Sequence, residues 1–161
     1  MGVSDNMERQ RGFEPVSNKH LKSYDKQENV ILPFCKTRGS AGYDFVAPYS
    51  FMLGRGETKI VWSDVKAYMN INEELLIFIR SSVGIKMRVN LLNNVGVIDS
   101  DYYNNHKNNG NIGISLVNNS DRLVIFNKGD GIAQGTFYNF LKADNCNGDE
   151  NRNGGLGSTN L

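Results

Sequence analysis

The sequence predicts an all-β fold, and two kinds of apolar pattern indicate it. Apolar and polar residues alternate with a period of two over residues 65–71 and 112–116, which is typical of half-buried strands. Residues 75–79 and 123–126 are continuous apolar runs of strand length. Segments rich in glycine, asparagine and aspartate separate these runs and supply turns. Many short strands at this spacing favour a distorted barrel or a jelly roll.

Three segments lie outside this pattern of strands. Residues 1–10 are polar and are predicted to be disordered, and residues 18–29 are charged and are predicted to form a surface loop. Residues 144–161 are rich in asparagine and glycine and, as a free tail, have almost nothing to bury. The remainder, residues 11–143, is expected to fold as one β domain that carries residues 144–161 as a flexible arm.

The composition argues against several classes of function. The 161 residues carry a formal net charge of +1, which disfavours binding to a nucleic-acid polymer. No apolar run approaches the roughly 20 residues that span a bilayer, and the N-terminus lacks the apolar core of a signal peptide. Cys35 and Cys146 are interpreted as reduced thiols of a cytoplasmic protein, although the two could also pair. His20 and His106 lie in polar, turn-like sequence, which disfavours a histidine-based catalytic or zinc site.

One short helix is predicted directly after the most apolar strand, over residues 82–88, where Ser82 could cap the first turn. Arg80 offers a rigid fork of donors, and Ser81 and Ser82 add hydroxyls and backbone N–H groups at the helix start. This combination suits phosphate oxygens. The alternative is a helix cap beside a surface arginine.

The stretch 96–102 carries the strongest catalytic signal. It places the carboxylate of Asp99 at the end of a short buried strand, with the ring of Tyr102 three residues further on. A carboxylate held there can polarise a water, and the ring can form the floor of a small-molecule pocket. The alternative is a β-hairpin with a polar turn.

The end of the chain is a candidate anion-binding segment. Arg152 is followed by glycines that allow close backbone approach, and by the hydroxyls of Ser158 and Thr159. Flexible glycine-rich arms with such hydroxyls form anion-binding nests. The alternative is a plain disordered terminus.

Five segments, taken together and in order, resemble the five motifs of the homotrimeric deoxyuridine triphosphate nucleotidohydrolases, or dUTPases. They are residues 40–44, 80–84, 93–102, 129–134 and 152–159. The third matches almost letter for letter, and the tail Gly-Gly-Leu-Gly-Ser-Thr is also highly specific. The resemblance covers about residues 11–160, with residues 11–14 similar to the first strand. The insertion at residues 103–109 resembles one in bacterial and phage members from low-GC Gram-positive lineages.

The resemblance implies hydrolysis of dUTP to dUMP and pyrophosphate. Asp99 would be the general base that orients the water attacking the α-phosphorus. Tyr102 would pack under the deoxyribose and leave no room for a 2′-hydroxyl. Asn93 and nearby backbone groups would read the uracil edge, where a 5-methyl group would clash.

The resemblance also implies how the phosphates are held. Arg80, Ser81 and Ser82 would bind them, with Ser81 as the catalytic serine at the bridging oxygen, and Gln134 would add a contact. Asp44 would act on the metal side through water, or by fixing a neighbouring arginine. Mg²⁺ would be carried mainly by the three phosphates, with no direct protein ligand.

The family pattern gives the arm a closing role in a homotrimer whose sites are shared between chains. Arg152 would face the γ-phosphate, with Ser158 and Thr159 on the phosphates. Two positions depart from the pattern. Leu156 stands where most members stack a phenylalanine on uracil, and Gly131 stands where many members carry arginine or lysine.

Two alternative functions remain at this stage. A dCTP deaminase or bifunctional deaminase of the same fold would need a glutamate near the reacting carbon and a different third motif. A phage-type dUTPase could instead act by binding a repressor, with residues 103–109 as its contact surface. For that segment, the simpler interpretation is a solvated loop.

Overall fold

Strands make up most of the regular structure, as the alternating pattern predicts. The computed structural model describes residues 9–146 and residue 148, and no helix in that part of the chain exceeds six residues. The strands are β1 Gly12–Pro15, β2 Tyr43–Val46, β3 Phe51–Leu53, β4 Thr58–Trp62, β5 Val65–Tyr68, β6 Glu73–Ile79, β7 Val89–Leu91, β8 Gly96–Asp99, β9 Gly113–Asn118, β10 Val124–Phe126 and β11 Gly131–Asn139.

The strands pair antiparallel in four sheets. The largest has the order β2-β11-β6-β8, a second has the order β4-β9-β7, and the pairs β1-β5 and β10-β3 complete the set. Backbone hydrogen bonds do not join these sheets into a closed barrel in the described part of the chain. The all-β, jelly-roll prediction is therefore confirmed, with the sheets open rather than closed. No helix of the described residues is long and apolar enough to cross a membrane.

The core lies between the sheets and follows the period-two pattern. In β9, Ile114 and Leu116 point inward, whereas the alternate residues Gly113, Ser115 and Val117 are half-exposed. Phe45 of β2 and Phe126 of β10 are the largest fully buried side chains. Because successive strand residues face opposite sides, strands such as β3, β9 and β10 contribute one face to the core and leave the other for the surface.

The predicted helix is present, but its start differs from the prediction. It is a π-helix over Ser82–Met87, and Ser81 precedes it. The predicted cap by Ser82 is wrong, because Ser82 lies inside the helix, and no side-chain hydrogen bond caps the first turn. Arg88 ends the helix in the left-handed conformation, with φ at 55°.

Two strand predictions need correction. The alternation over 65–71 continues past the strand, which ends at Tyr68. There, Asn70 and Glu73 form a turn, and Ile71 is 81% exposed. The strand that leads to Asp99 is not buried, because β8 lies at the edge of its sheet and Val97 is 53% exposed.

The segment 18–29 is only partly the predicted surface loop. It contains two short turns of 3₁₀ helix, and its Tyr24 is buried. The cause is the fully buried carboxylate of Asp64, which accepts backbone N–H bonds from Lys22, Ser23 and Tyr24 at 2.7–2.9 Å. Asn111 donates a further bond to the same carboxylate at 2.8 Å. A carboxylate with four donors holds the segment against the domain.

Candidate active site

The first cluster of predicted site residues lies around one open cavity, which we call the Arg80 cavity. Arg80 and Ser81 reach it from the end of β6, and Asp44 and Gln134 reach it from the paired strands β2 and β11. Asp44 and Gln134 are direct cross-strand partners, so the sheet register brings them together. Four side chains predicted at three separate places in the sequence therefore share one surface.

Arg80 is held in this cavity by two contacts. Its Nε lies 3.2 Å from Oδ1 of Asp44, and its Nη1 donates to the carbonyl oxygen of Gly131 at 3.2 Å. Asp44 is buried, which fixes the carboxylate that orients the guanidinium. Of the two roles expected for Asp44, the geometry matches the fixing of a neighbouring arginine.

Gly131 makes room for this arrangement. A Cβ atom at this position would lie 2.0 Å from Nη1 of Arg80, far inside contact distance. The guanidinium therefore occupies the space that a side chain at position 131 would take. From the sequence, Gly131 was notable only because many family members carry a positive charge at this position. Its role in positioning Arg80 depends on a contact between residues 51 positions apart, which the sequence does not show.

The two serines separate. Ser81 lines the Arg80 cavity, while Ser82 lines a neighbouring cavity together with Asp130 and Gly131. Arg80 lines both cavities. Arg80 is thus common to both cavities, whereas Ser81 and Ser82 do not line the same cavity in the described part of the chain.

A second cluster surrounds an apolar pocket, which we call the Tyr102 pocket. Asn93 and Tyr102 both line it. Its other lining residues are Trp62, Ile77, Leu91, Gly96, Val97, Ile98, Gly113, Ile114 and Ser115. A pocket lined mostly by apolar residues, with the amide of Asn93 and the aromatic rings of Trp62 and Tyr102, suits a planar heterocycle that needs orientation.

Hydrogen bonds fix the ring of Tyr102. Its buried hydroxyl donates to the carbonyl oxygen of Asn111 at 2.8 Å, and Nδ2 of Asn108 donates to that hydroxyl at 2.7 Å. Asn105 donates in turn to Oδ1 of Asn108 at 2.7 Å. The insertion 103–109 is thus an asparagine network built against the tyrosine, which the sequence did not predict.

The same loop is tied to the first strand through Glu14. Tyr103 donates its hydroxyl to Glu14 at 2.6 Å, and Arg9 donates to the other carboxylate oxygen at 2.6 Å. Burial raises the pKa of Glu14, but the hydrogen bonds from Tyr103 and Arg9 outweigh it and leave that pKa below 4.5. Burial, together with the hydrogen bond to Glu14, raises the pKa of Tyr103 above 10.0.

Asp99 lies where the sequence placed it, at the end of β8. Its strand neighbours Val97 and Ile98 line the Tyr102 pocket, and Tyr102 follows after one short turn. Asp99 itself is half-buried and lines neither the Arg80 cavity nor the Tyr102 pocket of the described chain.

The described residues do not include four of the expected site residues, and they add one unexpected residue to the Arg80 cavity. Arg152, Leu156, Ser158 and Thr159 lie outside the described residues. Lys36 lines the Arg80 cavity, and its Nζ lies 3.5 Å from Oδ2 of Asp44. Sequence reasoning missed Lys36, because a lone lysine in a polar loop has no distinguishing pattern.

Fold and site together define a class of protein. A jelly-roll chain with one cavity lined by an arginine and a serine, and a second, mostly apolar pocket lined by a tyrosine, is suited to a phosphorylated heterocycle. A family model described as dUTPase matches residues 28–160. The chain belongs to the dUTPase family.

Individual relatives agree with this assignment. A deoxyuridine 5′-triphosphate nucleotidohydrolase of Lactococcus lactis is 41% identical over 154 residues, which is 92% of this chain and 97% of that protein. One from Hydrogenobaculum is 32% identical, over 84% of this chain and 94% of that protein.

Solved structures give the same fold. The crystal structure of dUTPase from Streptococcus mutans is 38% identical, with a TM-score of 0.71 over 83% of this chain and 98% of that one. The dUTPase of Staphylococcus aureus phage phi11 is 19% identical, with a TM-score of 0.68 over 88% of this chain and 97% of that one. At that identity, the phage likeness shows the fold alone.

Proposed function

We propose that this protein is a dUTP diphosphatase, which hydrolyses dUTP to dUMP and pyrophosphate and so helps to keep uracil out of DNA. The similarity to dUTP nucleotidohydrolases over nearly the whole chain carries this proposal. The two clusters of the site agree with it, because one suits the phosphates and the other suits the nucleoside.

The phosphate side acts by positioning and charge. Arg80 offers a cationic fork fixed by Asp44, and Ser81 and Gln134 face the same cavity with neutral hydrogen-bonding groups. Ser81 is proposed to contact the bridging oxygen, and Ser82 to contact phosphate from the adjoining cavity. Fixed donors of this kind stabilise the charge that develops on the oxygens during phosphoryl displacement.

The nucleoside side selects the substrate. We assign the uracil edge to Asn93 and the deoxyribose to the ring of Tyr102, which is held by its own hydroxyl and therefore cannot turn away from a 2′-hydroxyl. Asp99, one short turn before Tyr102, is assigned as the general base that takes the proton of the attacking water.

The proposed cofactor is Mg²⁺ carried by the phosphates. The structure of a mutant dUTPase from phage phi11 describes the coordination of a structural Mg(II) ion in that protein. Both oxygens of Asp44 face cations, Arg80 and Lys36, which suits an indirect role for this carboxylate rather than direct ligation. When bound, the ion would neutralise phosphate charge, and the residues of the chain would hold the phosphates in line.

We propose a homotrimer with shared active sites. Within the described chain, the Arg80 cavity and the Tyr102 pocket have no lining residue in common. Sites formed between chains would let one nucleotide use both. Exposed apolar side chains on the paired strands β3 and β10, Met52 at 60% and Ile125 at 59%, are available for burial between chains. The arm, with Arg152, Leu156, Ser158 and Thr159, is proposed to close the site.

We place the reaction in the cytoplasm. Cys35 and Cys146 are both free and exposed thiols. Exposed thiols of this kind suit a reducing compartment.

Neither alternative function is favoured. The relatives at 41% and 32% identity are both named dUTP nucleotidohydrolases, which does not favour a deaminase. No observation on the described residues favours a repressor partner at residues 103–109.

The test is pyrophosphate release from dUTP, dCTP, dTTP and UTP in the presence of Mg²⁺. We expect release from dUTP alone, because the tyrosine floor excludes ribose and the pocket excludes a 5-methyl group. Ammonia release from dCTP would identify a deaminase instead. The absence of pyrophosphate release from dUTP would contradict the proposal.

A further inference from the structure

We propose that Lys36 is a phosphate-binding residue of this site, an inference that rests on the proposed function and adds a ligand to it. Lys36 stands in the loop before β2, in none of the five motifs that identify the family. Its ammonium lies 3.5 Å from Asp44, and it lines the same cavity as Arg80, Ser81 and Gln134. Position alone therefore places a second cation beside the phosphate donors.

The carboxylate of Asp44 divides its two oxygens between two cations. Oδ1 faces Nε of Arg80 at 3.2 Å, and Oδ2 faces Nζ of Lys36 at 3.5 Å. Two cations on one carboxylate leave an excess of positive charge on this wall. A concave surface with such an excess attracts polyanions.

The two cations are held to different degrees. The side chain of Arg80 is 22% exposed and is bonded to both Asp44 and Gly131, whereas that of Lys36 is 57% exposed with one long ionic contact. Because the lysine end of this pair is solvated and the separation is long, the ionic contact contributes little. The ammonium can therefore leave Asp44 for a phosphate oxygen at small cost, while Arg80 keeps the carboxylate paired.

The chemistry of the two groups assigns them to different phosphates. A guanidinium fixed at its base recognises oxygens in a set geometry, whereas an ammonium on a flexible stem follows a mobile charge. The greater exposure of Lys36 places it on the solvent side of the cavity. We therefore assign it to the outer phosphates, which dUTP has and dUMP lacks.

The test compares Lys36→Gln and Lys36→Arg with Arg38→Gln. The last variant removes a cation two residues away in the same loop, and Arg38 does not line the Arg80 cavity. Binding of a non-hydrolysable imido analogue of dUTP, of dUMP and of inorganic tripolyphosphate is measured by calorimetry with Mg²⁺. The KM and kcat for dUTP are measured in parallel.

For Lys36→Gln we expect roughly threefold to tenfold weaker binding of the dUTP analogue and of tripolyphosphate, because one partly screened charged contact is lost. KM should rise by the same factor. The affinity of Lys36→Gln for dUMP should stay within about twofold of the wild type, and so should its kcat. Lys36→Arg should restore most of the lost affinity for the dUTP analogue. Arg38→Gln should resemble the wild type in every measurement.

Equal binding of the dUTP analogue by Lys36→Gln and Arg38→Gln would overturn the proposal. An equal loss for dUMP and for the analogue would also overturn it, since Lys36 would then act only through Asp44. If the wild type binds tripolyphosphate but releases no pyrophosphate from dUTP, the proposed function fails. In that case, the tripolyphosphate arm still decides whether Lys36 binds phosphate.

Discussion

Asp99 is the residue on which the proposed chemistry depends. It follows Ile98, whose side chain lines the Tyr102 pocket, and it ends β8. We expect Asp99→Asn to abolish turnover and to leave binding of a dUTP analogue nearly intact, because an amide keeps the size but cannot accept the proton of the water. General-base contributions are typically 10²–10⁴-fold. Single-turnover kinetics measure the loss of turnover, and calorimetry measures binding of the dUTP analogue. A variant that retains more than about a tenth of the wild-type rate would argue against Asp99 as the general base.

Gly131 offers a second test at the level of one residue. We expect Gly131→Ala to push the guanidinium of Arg80 out of its seat, because the added Cβ would lie 2.0 Å from Nη1. KM for dUTP should rise about tenfold, as one charged contact is lost. The melting temperature should barely change, because the displaced group is the flexible end of a side chain.

Gly39→Ala is the matched control for this change, because nothing lies within 4 Å of its added Cβ. Unchanged KM in Gly131→Ala would mean that Arg80 does not hold the phosphates from the position described.

At the scale of single residues, the sequence predicted which side chains belong to the candidate site better than it predicted the contacts that these side chains make. Arg80, Ser81 and Gln134 were predicted by type and order, and they do share a cavity. Lys36 was missed, and Gly131 was judged only by the charge it lacks. Both depend on contacts with residues that are remote or patternless in the sequence, so no local rule could show them.

Among the elements, the loop at residues 103–109 has a testable role as support for Tyr102. Asn108 donates to the tyrosine hydroxyl at 2.7 Å. We expect Asn108→Ala to let the ring move and to reduce the preference for dUTP over UTP about fivefold, the worth of one hydrogen bond of about 1 kcal/mol. The measurement is the ratio of kcat/KM for the two nucleotides.

Two further variants frame this result. Tyr102→Ala should relax the preference more strongly, because it removes the floor itself. His106→Ala changes an exposed residue of the same loop and should have no effect. A preference that falls in Tyr102→Ala but not in Asn108→Ala would show that the loop does not position the ring.

The junction between β1 and β6 predicts a response to acid. Just before β1, the single N–H of Arg11 Nε is shared between the two carboxylate oxygens of the buried Glu73 of β6, at 3.1 and 3.2 Å, and Nη2 donates a further bond to Oε1. These bonds hold the pKa of Glu73 below 4.5. A lowered pKa in the folded state means that the stabilisation is complete above about pH 4.5 and is lost as the pH falls through the folded value.

We therefore expect the difference in melting temperature between wild type and Arg11→Gln to be largest near neutral pH and to shrink below about pH 4.5. Thermal unfolding from pH 7 to pH 3 measures it. A difference that stays constant across this range would show that the pair does not contribute through ionised Glu73.

The elements also show where local patterns stop being informative. The alternation predicted β5 through Ile71, yet the turn formed by Asn70 and Glu73 ends the strand at Tyr68. The charged residues around Tyr24 predicted a surface loop, yet the carboxylate of Asp64, 40 residues away in the sequence, accepts a hydrogen bond from the backbone N–H of Tyr24 and holds the segment in place. Propensity governs where a strand can form, and long-range partners decide where it ends.

At the scale of the whole molecule, we expect the arm, residues 144–161, to be needed for hydrolysis but not for thermal stability. The buried core of the described chain draws on residues 16–133, so deleting residues 150–161 should leave the melting temperature within roughly 2 °C. Hydrolysis should fall severely, because Arg152, Ser158 and Thr159 are lost with it. Scanning calorimetry and a pyrophosphate assay measure the two effects, and full activity in the truncated protein would remove the proposed closing role of the arm.

The fold class was predictable at this scale because alternation is repeated along the whole chain. Which strands become neighbours was not predictable, since β2 and β11 pair although eight other strands separate them in the sequence. The same limit explains why the sequence did not show that the predicted site residues line two separate cavities of the described chain.

The position of β11 has a consequence for synthesis on the ribosome. This strand pairs with β2 on one side and with β6 on the other, yet it is among the last parts of the domain to be translated. Before it emerges, β2 has no partner strand and β6 has one open edge, and open edges invite wrong pairing. The largest sheet of a nascent chain can therefore be completed only once residue 139 has emerged, and the Arg80 cavity forms only then.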